Sequence, residues 1–579
     1  MCSMPYHGDM ARTFPNKYAA QCTECGQRVD VGEGLTQANP GSGPKWLTTH
    51  KVCPQHAPEA LAAPASTHIS YPPTDEQATA IKIFACGEDL VLQAGAGAGK
   101  TSTLKFLAQH ALANGRVGQY LAYNRAIVAD VKSSMPGSVS CNTNHSLAYA
   151  TTGAPLADRL PQDGEGGKGM PRQSNNEVAK ILGLKSLSIP GHGKVEGRTL
   201  AAGWLASKTL SMVDKFCHSA DTEISTKHLD YVEGIDETDD DGSRHFDNNN
   251  LLAKHLLPFA RKAWQDMTTT TADGGRLRTT HDAYFKQWSL SGPVINKDFI
   301  LLDEAQDADP VMVEVIKFNR DRGVQVVVVG DEQQVLYEWR GAVNAMAEFE
   351  ALGAKVAFLS QSFRFGDAVA EVANGLLGRL DARLRIKGFG KVASQVGPVH
   401  SPDAILTRSN AGAVSTLIAQ LALGRKAHLV GGTGAIVSFA KAALALQNGR
   451  SSQHPELGMF ASWDAVCQYV EEEEQGADLK LMVKLVNEFG AQAILDALED
   501  SADERATKSP SWDGVTISTA HKSKGLQWSS VQIAGDFKAP RGDGDLSPSE
   551  LRLAYVAATR AQHELDLTNV PHFLGGGEI

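Results

Sequence analysis

Short apolar runs alternate with helix-like stretches along most of this 579-residue chain. DLVLQ, opening at Asp89, leads into a Gly/Ala-rich turn and then into KTSTLKFLAQHALAN, whose apolar positions recur at helical spacing. GQYLAYN, RAIVADVKSSM and SVSCNT continue the alternation, and FILLDEAQD (299–307) and VQVVVVGDEQQ (324–334) resume it. It runs on through KVAFLSQSFRF, AILTRSN and KAHLVGG, and ends with GVTISTAHKSKGL, VQIAGDF and LRLAYVAATRA. Short β-branched runs alternating with helices predict parallel sheets covered on both faces.

Two stretches break the rhythm. Residues 151–275 combine polar, Gly-rich segments (QDGEGGKGMPRQ, DETDDDGSRHFDNNN) with helical patterns such as GWLASKTLSMVDKFCHSA and LLAKHLLPFARKAWQDM, which predicts a mainly helical insertion. Residues 433–512, acidic and including EEEEQ, predict a second one. Ahead of the alternation, residues 1–60 hold a cysteine group, and APEALAAPASTHISYPP (57–73) reads as a Pro/Ala linker. A chain of this length suggests about four domain-sized pieces.

Composition changes this picture little. Hydrophobic content of 42% and charged content of 21% are ordinary for a globular protein. No stretch approaches the roughly 18 uncharged apolar residues of a spanning helix, and the N-terminus lacks the apolar core of a signal peptide. The expectation is no membrane and a cytoplasmic location, nuclear if the source is a eukaryote or host-cytoplasmic if viral. The formal charge of −11 gives no global basic footprint for nucleic acid, but a locally basic channel is compatible with it.

QAGAGAGKTSTL carries the sharpest chemistry. Ala94, four residues, then Gly99-Lys100-Thr101 is a Walker A spacing. Ala94, Gly95, Ala96, Gly97, Ala98 and Gly99 let backbone N–H groups wrap phosphate oxygens at a helix N-terminus. Lys100 would reach the β- and γ-phosphates of ATP, and the Thr101 hydroxyl would hold Mg²⁺. In FILLDEAQD an apolar strand delivers Asp303 and Glu304 to its carboxyl edge, where ligand sites of α/β sheets lie. Asp303 would hold Mg²⁺ and Glu304 would polarise the water that attacks the γ-phosphate. The alternatives are a chance Gly/Ala turn for the first string and a solvated turn for the second; a strand-end Asp-Glu in the same chain as a Walker A spacing is much more specific than paired acidic residues alone.

Further strings resemble the ordered motifs of superfamily I, UvrD/Rep/PcrA-like DNA helicases. VGDEQQVLYEWRGA resembles their motif coupling ATP state to DNA, LSQSFRFGDAVAEVAN their fourth motif, ISTAHKSKGLQW their fifth and ELRLAYVAATRA their sixth. The resemblance covers roughly residues 70–570. LAYNRAIVADV, NTNHSLAYA, DKFCHSAD and THDAYFKQW are similar to F-box DNA helicases and their viral and bacterial relatives, although no F-box is apparent and a ubiquitin-ligase role is not carried over.

The resemblance implies an α/β fold of two RecA-like P-loop cores, each interrupted by one of the mainly helical insertions read above, and the cysteine group ahead of them adds a small N-terminal zinc-binding module. The implied division is 1–60 for that module; 61–150 and 276–358 for the first core, around the insertion 151–275; and 359–432 and 513–579 for the second, around 433–512. It implies that Gln77 reads the adenine edge, Phe363 stacks on adenine, Arg364 and Arg560 touch the γ-phosphate from the second core, and Gln334 senses it. Ser102 stands where the family often has an arginine on the base, and Gln527 where it usually has a glutamate on the ribose, so nucleotide selectivity is open. For DNA it points to Tyr123, Asn124, Thr143, His145, Tyr337, Trp339, Arg340 and His521. Stacking on Tyr337 and Trp339 would tolerate any base; the alternative for both is core packing. The implied activity is ATP-dependent strand separation with 3′-to-5′ movement, on single-stranded DNA and ss/ds junctions, alongside recombination or replication proteins. A translocase that strips proteins from single strands, and a protein-binding P-loop switch, are the rivals.

Cys22-x₂-Cys25 followed by His50-x₂-Cys53 has the spacing of a closed structural zinc site. His56 in place of His50 as fourth ligand, and unpaired thiols on a floppy tail, are the alternatives. Cys86, Cys141, Cys217 and Cys467 sit singly, as in a reducing compartment.

Overall fold

The computed structural model describes residues 71–574 except 123, 162–168, 194, 233, 238, 240–242, 336–342, 453, 455–456, 459, 461, 473–476, 510 and 541–543; before 71 it describes 14–15, 20–21, 28–29, 34–38 and 46–50. The chain divides into two compact units, Met1–Ser70 and Tyr71–Ile579.

In the small unit, Phe14–Pro15, Gly34–Ala38 and Trp46–His50 form an antiparallel sheet, and Ala20–Gln21 pairs with Arg28–Val29 in a separate hairpin. Cys22, Cys25, Cys53 and His56 lie outside the described residues, and of His50 only its place at the end of a strand is described.

The large unit is built on two six-stranded, wholly parallel sheets. The first contains β1 (Leu90–Ala94), β2 (Gly118–Ala122), β3 (Val139–Thr143), β4 (Phe299–Leu302), β5 (Gln325–Gly330) and β6 (Lys355–Leu359), in the order β6-β1-β5-β4-β2-β3. The second contains β7 (Gln395–Val396), β8 (Ala404–Thr407), β9 (Ala427–Leu429), β10 (Val515–Thr519), β11 (Trp528–Ile533) and β12 (Ala561–Asp566), in the order β7-β12-β11-β8-β10-β9. Strands β1, β4 and β5 are buried along their whole length because helices cover both faces, which is why they read as unbroken apolar runs. Close packing also fixes small residues: a Cβ on Gly118 would stand 2.2 Å from the Phe299 ring on the neighbouring strand.

Between β3 and β4 the chain folds a helical body with its own core. Asn175–Leu182, Ala202–Cys217 and Asp247–Met267 bury Val178, Leu205, Met212, Phe216, Leu252 and Leu256 together. The helices Gly434–Gln447, Trp463–Glu472, Ala477–Phe489 and Ala491–Glu499 differ. Phe439, Leu446, Val466 and Ile494 share one apolar cluster with Ile405, Val515 and Ile517 of the second sheet. Among the described residues no helix is long and apolar enough to cross a membrane.

Candidate nucleotide site between the two parallel cores

All strands of a parallel sheet end on the same edge, so loops far apart in sequence meet there. After β1 the chain turns through Gly97 and Gly99, at φ 73° and 76°, a left-handed conformation that glycine adopts without strain. The helix Lys100–Ala113 then begins at Gly99 with no side-chain cap. Its first N–H groups therefore face the cleft as an anion seat. Gly97 is needed for a second reason: a Cβ there would come within 2.6 Å of Arg364 Cβ, across the interface with the second core. Phe363 N donates to Gly97 O at 2.9 Å and Ser362 Oγ to Ala96 O at 2.9 Å, so the loop is gripped from the other core.

Asp303 and Glu304 leave the carboxyl end of β4. Glu304 is non-glycine at φ 54°, a backbone strain of order 1 kcal/mol that turns its side chain into the cleft. Lys100 Nζ donates to Glu304 Oε1 at 2.6 Å, and Gln306 Nε2 donates to Oε2 at 2.6 Å. Burial alone would raise the Glu304 carboxyl, but Lys100 and then Lys524 outweigh it and hold it far below the usual carboxylate range. Burial would lower the Lys100 ammonium, yet Glu304 and then Asp303 drive it up. Asp303 moves the other way: burial, then the Glu304 charge, raise its carboxyl, which accepts from Tyr120 Oη at 2.9 Å and from Glu304 N at 2.9 Å. Lys524 comes from the second core, ion-paired to Asp307 and donating to Gln334 O at 2.9 Å.

The opposite wall is cationic. Arg560 is fully buried after the helix Pro548–Ala558; it donates to Val556 O at 2.8 Å and reaches Gln334 Oε1 at 3.3 Å. Arg364 donates to Gln527 Oε1 at 2.8 Å and to Thr559 O at 2.9 Å. Among the described residues neither guanidinium pairs with a carboxylate. Burial, then the charge of Arg364, lowers Arg560 to about 9, and burial lowers Arg364. Two desolvated, mutually repelling cations are an unfavourable arrangement that an anion between them would relieve. The Tyr555 hydroxyl, fully buried, donates to Asp331 Oδ2 at 2.8 Å and accepts from Ala96 N at 3.2 Å, tying the sixth-motif helix to the phosphate loop.

At the rim, Gln77 and Phe363 both border Gly99: a Cβ there would stand 3.5 Å from each. Gln77 is fixed by the capping box of the helix Asp75–Ala85 and donates to Thr103 Oγ1 at 3.1 Å, while Phe363 stays 41% exposed, as a ring open to a ligand must. Ser102 Oγ, one residue past Thr101, lies 3.0 Å from Tyr71 Oη. Lys100, Asp303, Glu304, Gln334, Arg364, Arg560 and Gln527 are thus brought into one cleft.

The residues expected to touch DNA are only partly gathered. Tyr123, Tyr337, Trp339 and Arg340 lie outside the described residues. Asn124, just past β2, caps the helix Arg125–Lys132 through Ala126 N, and Thr143, the last residue of β3, caps Asn144–Ala148 through Ser146 N. His145 Nε2 lies 2.9 Å from Asp282 Oδ1, with its ring against Phe285. His521 follows β10 in the second core. Gln306, Asp331, Tyr120, Lys524 and Tyr555 complete the cleft and were not singled out from sequence. Their only signal was position inside the strings DEAQD, GDEQQ, QYLAYN, KSKGL and LRLAYVAATRA.

An uncapped helix N-terminus, glycine turns and two guanidiniums without carboxylates fit a nucleoside triphosphate, and Thr101 with Asp303 fits its divalent ion. A parallel α/β protein whose phosphate loop is completed by arginines from a second core defines the class of two-core P-loop NTPases. Comparison with known families agrees. Residues 77–340 match the AAA domain family and 438–570 the UvrD-like helicase C-terminal domain. The chain is 30% identical over 517 residues to F-box DNA helicase protein 1 of Schizosaccharomyces pombe, covering 83% of this chain and 56% of that protein. It is 26% identical over 523 residues to F-box DNA helicase 1 of Gallus gallus, covering 82% and 47%. ATP-dependent DNA helicase PcrA of Bacillus subtilis is 32% identical over 102 residues, 17% of this chain and 13% of its own length. The chain belongs to the UvrD-like helicases of superfamily I, and it spans about half the length of the two F-box helicases.

Proposed function

We propose that this protein is an ATP-driven motor on single-stranded DNA, an ATP-dependent DNA helicase moving 3′ to 5′. The observation that carries the reading is the composite cleft, with Lys100 and Glu304 from one sheet facing Arg364 and Arg560 from the other. ATP with Mg²⁺ supplies the bond to be cleaved and the charge to be neutralised. Lys100, freed from Glu304, would bind phosphate oxygens, and Thr101 and Asp303 would hold the ion. Glu304, held acidic by Lys100 and Lys524, becomes a useful base only when Lys100 turns away, and it then takes a proton from the attacking water onto its carboxylate. Arg364 and Arg560 act on charge that develops on the γ-phosphoryl group. Since both walls must close for turnover, each cycle moves the cores relative to one another, and a strand held by both would advance.

On this reading Asn124, Thr143, His145 and His521 line the strand with Tyr123, Tyr337, Trp339 and Arg340. A zinc ion at Cys22, Cys25, His50 (or His56) and Cys53 orders the N-terminal module; the Ala20–Gln21/Arg28–Val29 hairpin that brackets Cys22 and Cys25 supports this. Single strands and ss/ds junctions are the substrates, in repair, recombination or replication.

ATPase activity measured with and without single-stranded DNA, plus unwinding of duplexes with 3′ or 5′ tails, tests the reading. DNA-stimulated hydrolysis and opening of 3′-tailed duplex are expected. DNA-independent hydrolysis would instead indicate a nucleotide switch for protein partners. A translocase that strips proteins without processive unwinding has one observation in its favour: the helices Gly434–Gln447 to Ala491–Glu499 pack into the second core rather than around a core of their own. Filament stripping without strand displacement would select it.

A further inference from the structure

Far along the chain from the nucleotide cleft, the helical body between β3 and β4 gathers a second group of metal-binding side chains. His192 sits in the turn between the strands Leu187–Ile189 and Arg198–Leu200. His245 ends an acidic loop, and Asp247 is the first residue of the helix Asp247–Met267. One ligand atom from each of the three lies within 4.8 Å of the others. His192 Nε2 stands 3.1 Å from Asp247 Oδ2, and the two imidazole rings are 5.2 Å apart. Donors around a zinc-sized ion with bonds of about 2.1 Å sit about 3.4 Å apart, so small side-chain rotations would close the set. We propose that His192, His245 and Asp247 bind a borderline divalent cation of the zinc class, with water completing the shell, and that this ion staples three segments of the helical body.

Three further observations support a built site. The segments are already anchored where they meet. Buried Asp236 accepts from Asn248 N and Asn249 N at 2.8 Å each, and Asn248 Nδ2 donates to Pro190 O at 3.0 Å, binding the His192 turn to the helix start. Each imidazole also has a carboxylate behind it. Asp239 lies 3.2 Å from His245 Nε2 through both oxygens, and Asp236 Oδ1 lies 3.9 Å from His192 Nδ1. The His245–Asp239 contact is a carboxylate–histidine pair of the kind that fixes the tautomer and raises the basicity of a metal ligand, while Asp236 is a neighbouring negative charge for His192. Glu237 N donates to His192 Nδ1 at 3.3 Å, so an ion on Nε2 would require this contact to yield to donation from Nδ1 toward Asp236. Finally, Asp236, Glu237, Asp239 and Asp247 concentrate negative charge that a divalent cation offsets. Two imidazoles select zinc, nickel or cobalt over magnesium or calcium.

This cation site does not depend on the DNA motor, and its metal must be distinguished from any held by the N-terminal cysteines. The full chain is loaded with zinc, desalted and assayed for bound metal as wild type, His192→Ala, His245→Ala, Asp247→Asn and Cys22→Ser/Cys25→Ser. Each substitution at 192, 245 or 247 should remove one zinc equivalent while the cysteine variant keeps it. Asp247→Asn preserves shape, so its loss of metal cannot be put down to misfolding. Cobalt loading of the cysteine variant should give weak visible bands without sulfur charge transfer, lost in the same background with His245→Ala. Chelation should speed proteolysis within 236–246 in wild type but not in Asp247→Asn. Equal zinc in wild type and all three variants, or none in the cysteine variant, overturns the proposal.

Discussion

The same strand–turn–helix step occurs in both sheets, and its two versions are finished in opposite ways. After β1 the helix Lys100–Ala113 starts uncapped and its amides face the cleft. After β8 the helix Asn410–Ala422 is capped by Ser409, whose Oγ accepts from Gly412 N at 2.9 Å. The protein's own Asp536 carboxylate fills the anion seat there, accepting from Arg408 N at 2.8 Å and from Ser409 N at 3.0 Å. A Cβ on Gly412 would meet that carboxylate at 2.1 Å, and Arg408 is paired with Glu550 at 2.6 Å. One core leaves its backbone donors unsatisfied and keeps a lysine beside them. The other satisfies its donors internally and exports two arginines instead. Where a ligand binds is set by which polar groups the fold leaves uncompensated, not by the sheet itself.

Breaking the first core should have the largest effect. Lys100→Ala and Glu304→Gln should each abolish turnover. Nucleotide affinity should fall in the first and persist in the second, as fluorescent-nucleotide titration can measure; equal loss of affinity would remove the distinction between the two roles. Breaking the exported side should be next. Arg560→Ala and Arg364→Ala should lower kcat by about 10³-fold, ~4 kcal/mol, with little change in KM. A raised KM at constant kcat would make them ground-state ligands.

Emptying the internally filled seat tests the other half of the contrast. Asp536→Ala should cost about 1.5–3 kcal/mol of stability by chemical denaturation, since backbone donors lose a charged acceptor. Hydrolysis per folded molecule should stay at the wild-type level, and a matching loss of kcat would mean the second seat is not merely structural. Strand contact should be separable from both cores. Trp339→Ala should weaken single-strand binding by about 1–3 kcal/mol while basal ATPase persists; collapse of basal activity would identify Trp339 as core packing. The smallest effect belongs to the bridge between cores. Tyr555→Phe removes only the hydroxyl between Ala96 N and Asp331, and kcat/KM should fall by about 0.5–1.5 kcal/mol without loss of folding. An unchanged kcat/KM would show that the bridge does not position the loop.

Lys100, Asp303 and Glu304 were legible because each needs a residue type at a fixed short spacing from a turn or a strand end. Gln306 and Tyr555 were not. Gln306 matters because Gly330 on the next strand has no Cβ, leaving room for its amide 2.1 Å from where one would stand. Tyr555 matters because its helix faces the phosphate loop, 459 residues away. The His192–His245–Asp247 group was equally invisible, since its members are 53 and 2 residues apart and meet only when the turn at 192 is tied to the helix start through Asn248.

By itself the sequence determined the local chemistry: the strand–turn–helix steps, the phosphate loop, the acidic strand end and the alternation that builds parallel sheets. Those are short-range consequences of backbone freedom and side-chain period. Only the tertiary structure decided the rest. It paired Glu304 with Lys100 and Lys524, left Arg364 and Arg560 without carboxylate partners among the described residues, and filled the second core's seat with Asp536. Charge compensation depends on which groups are desolvated together, and that is a property of packing across hundreds of residues rather than of any segment.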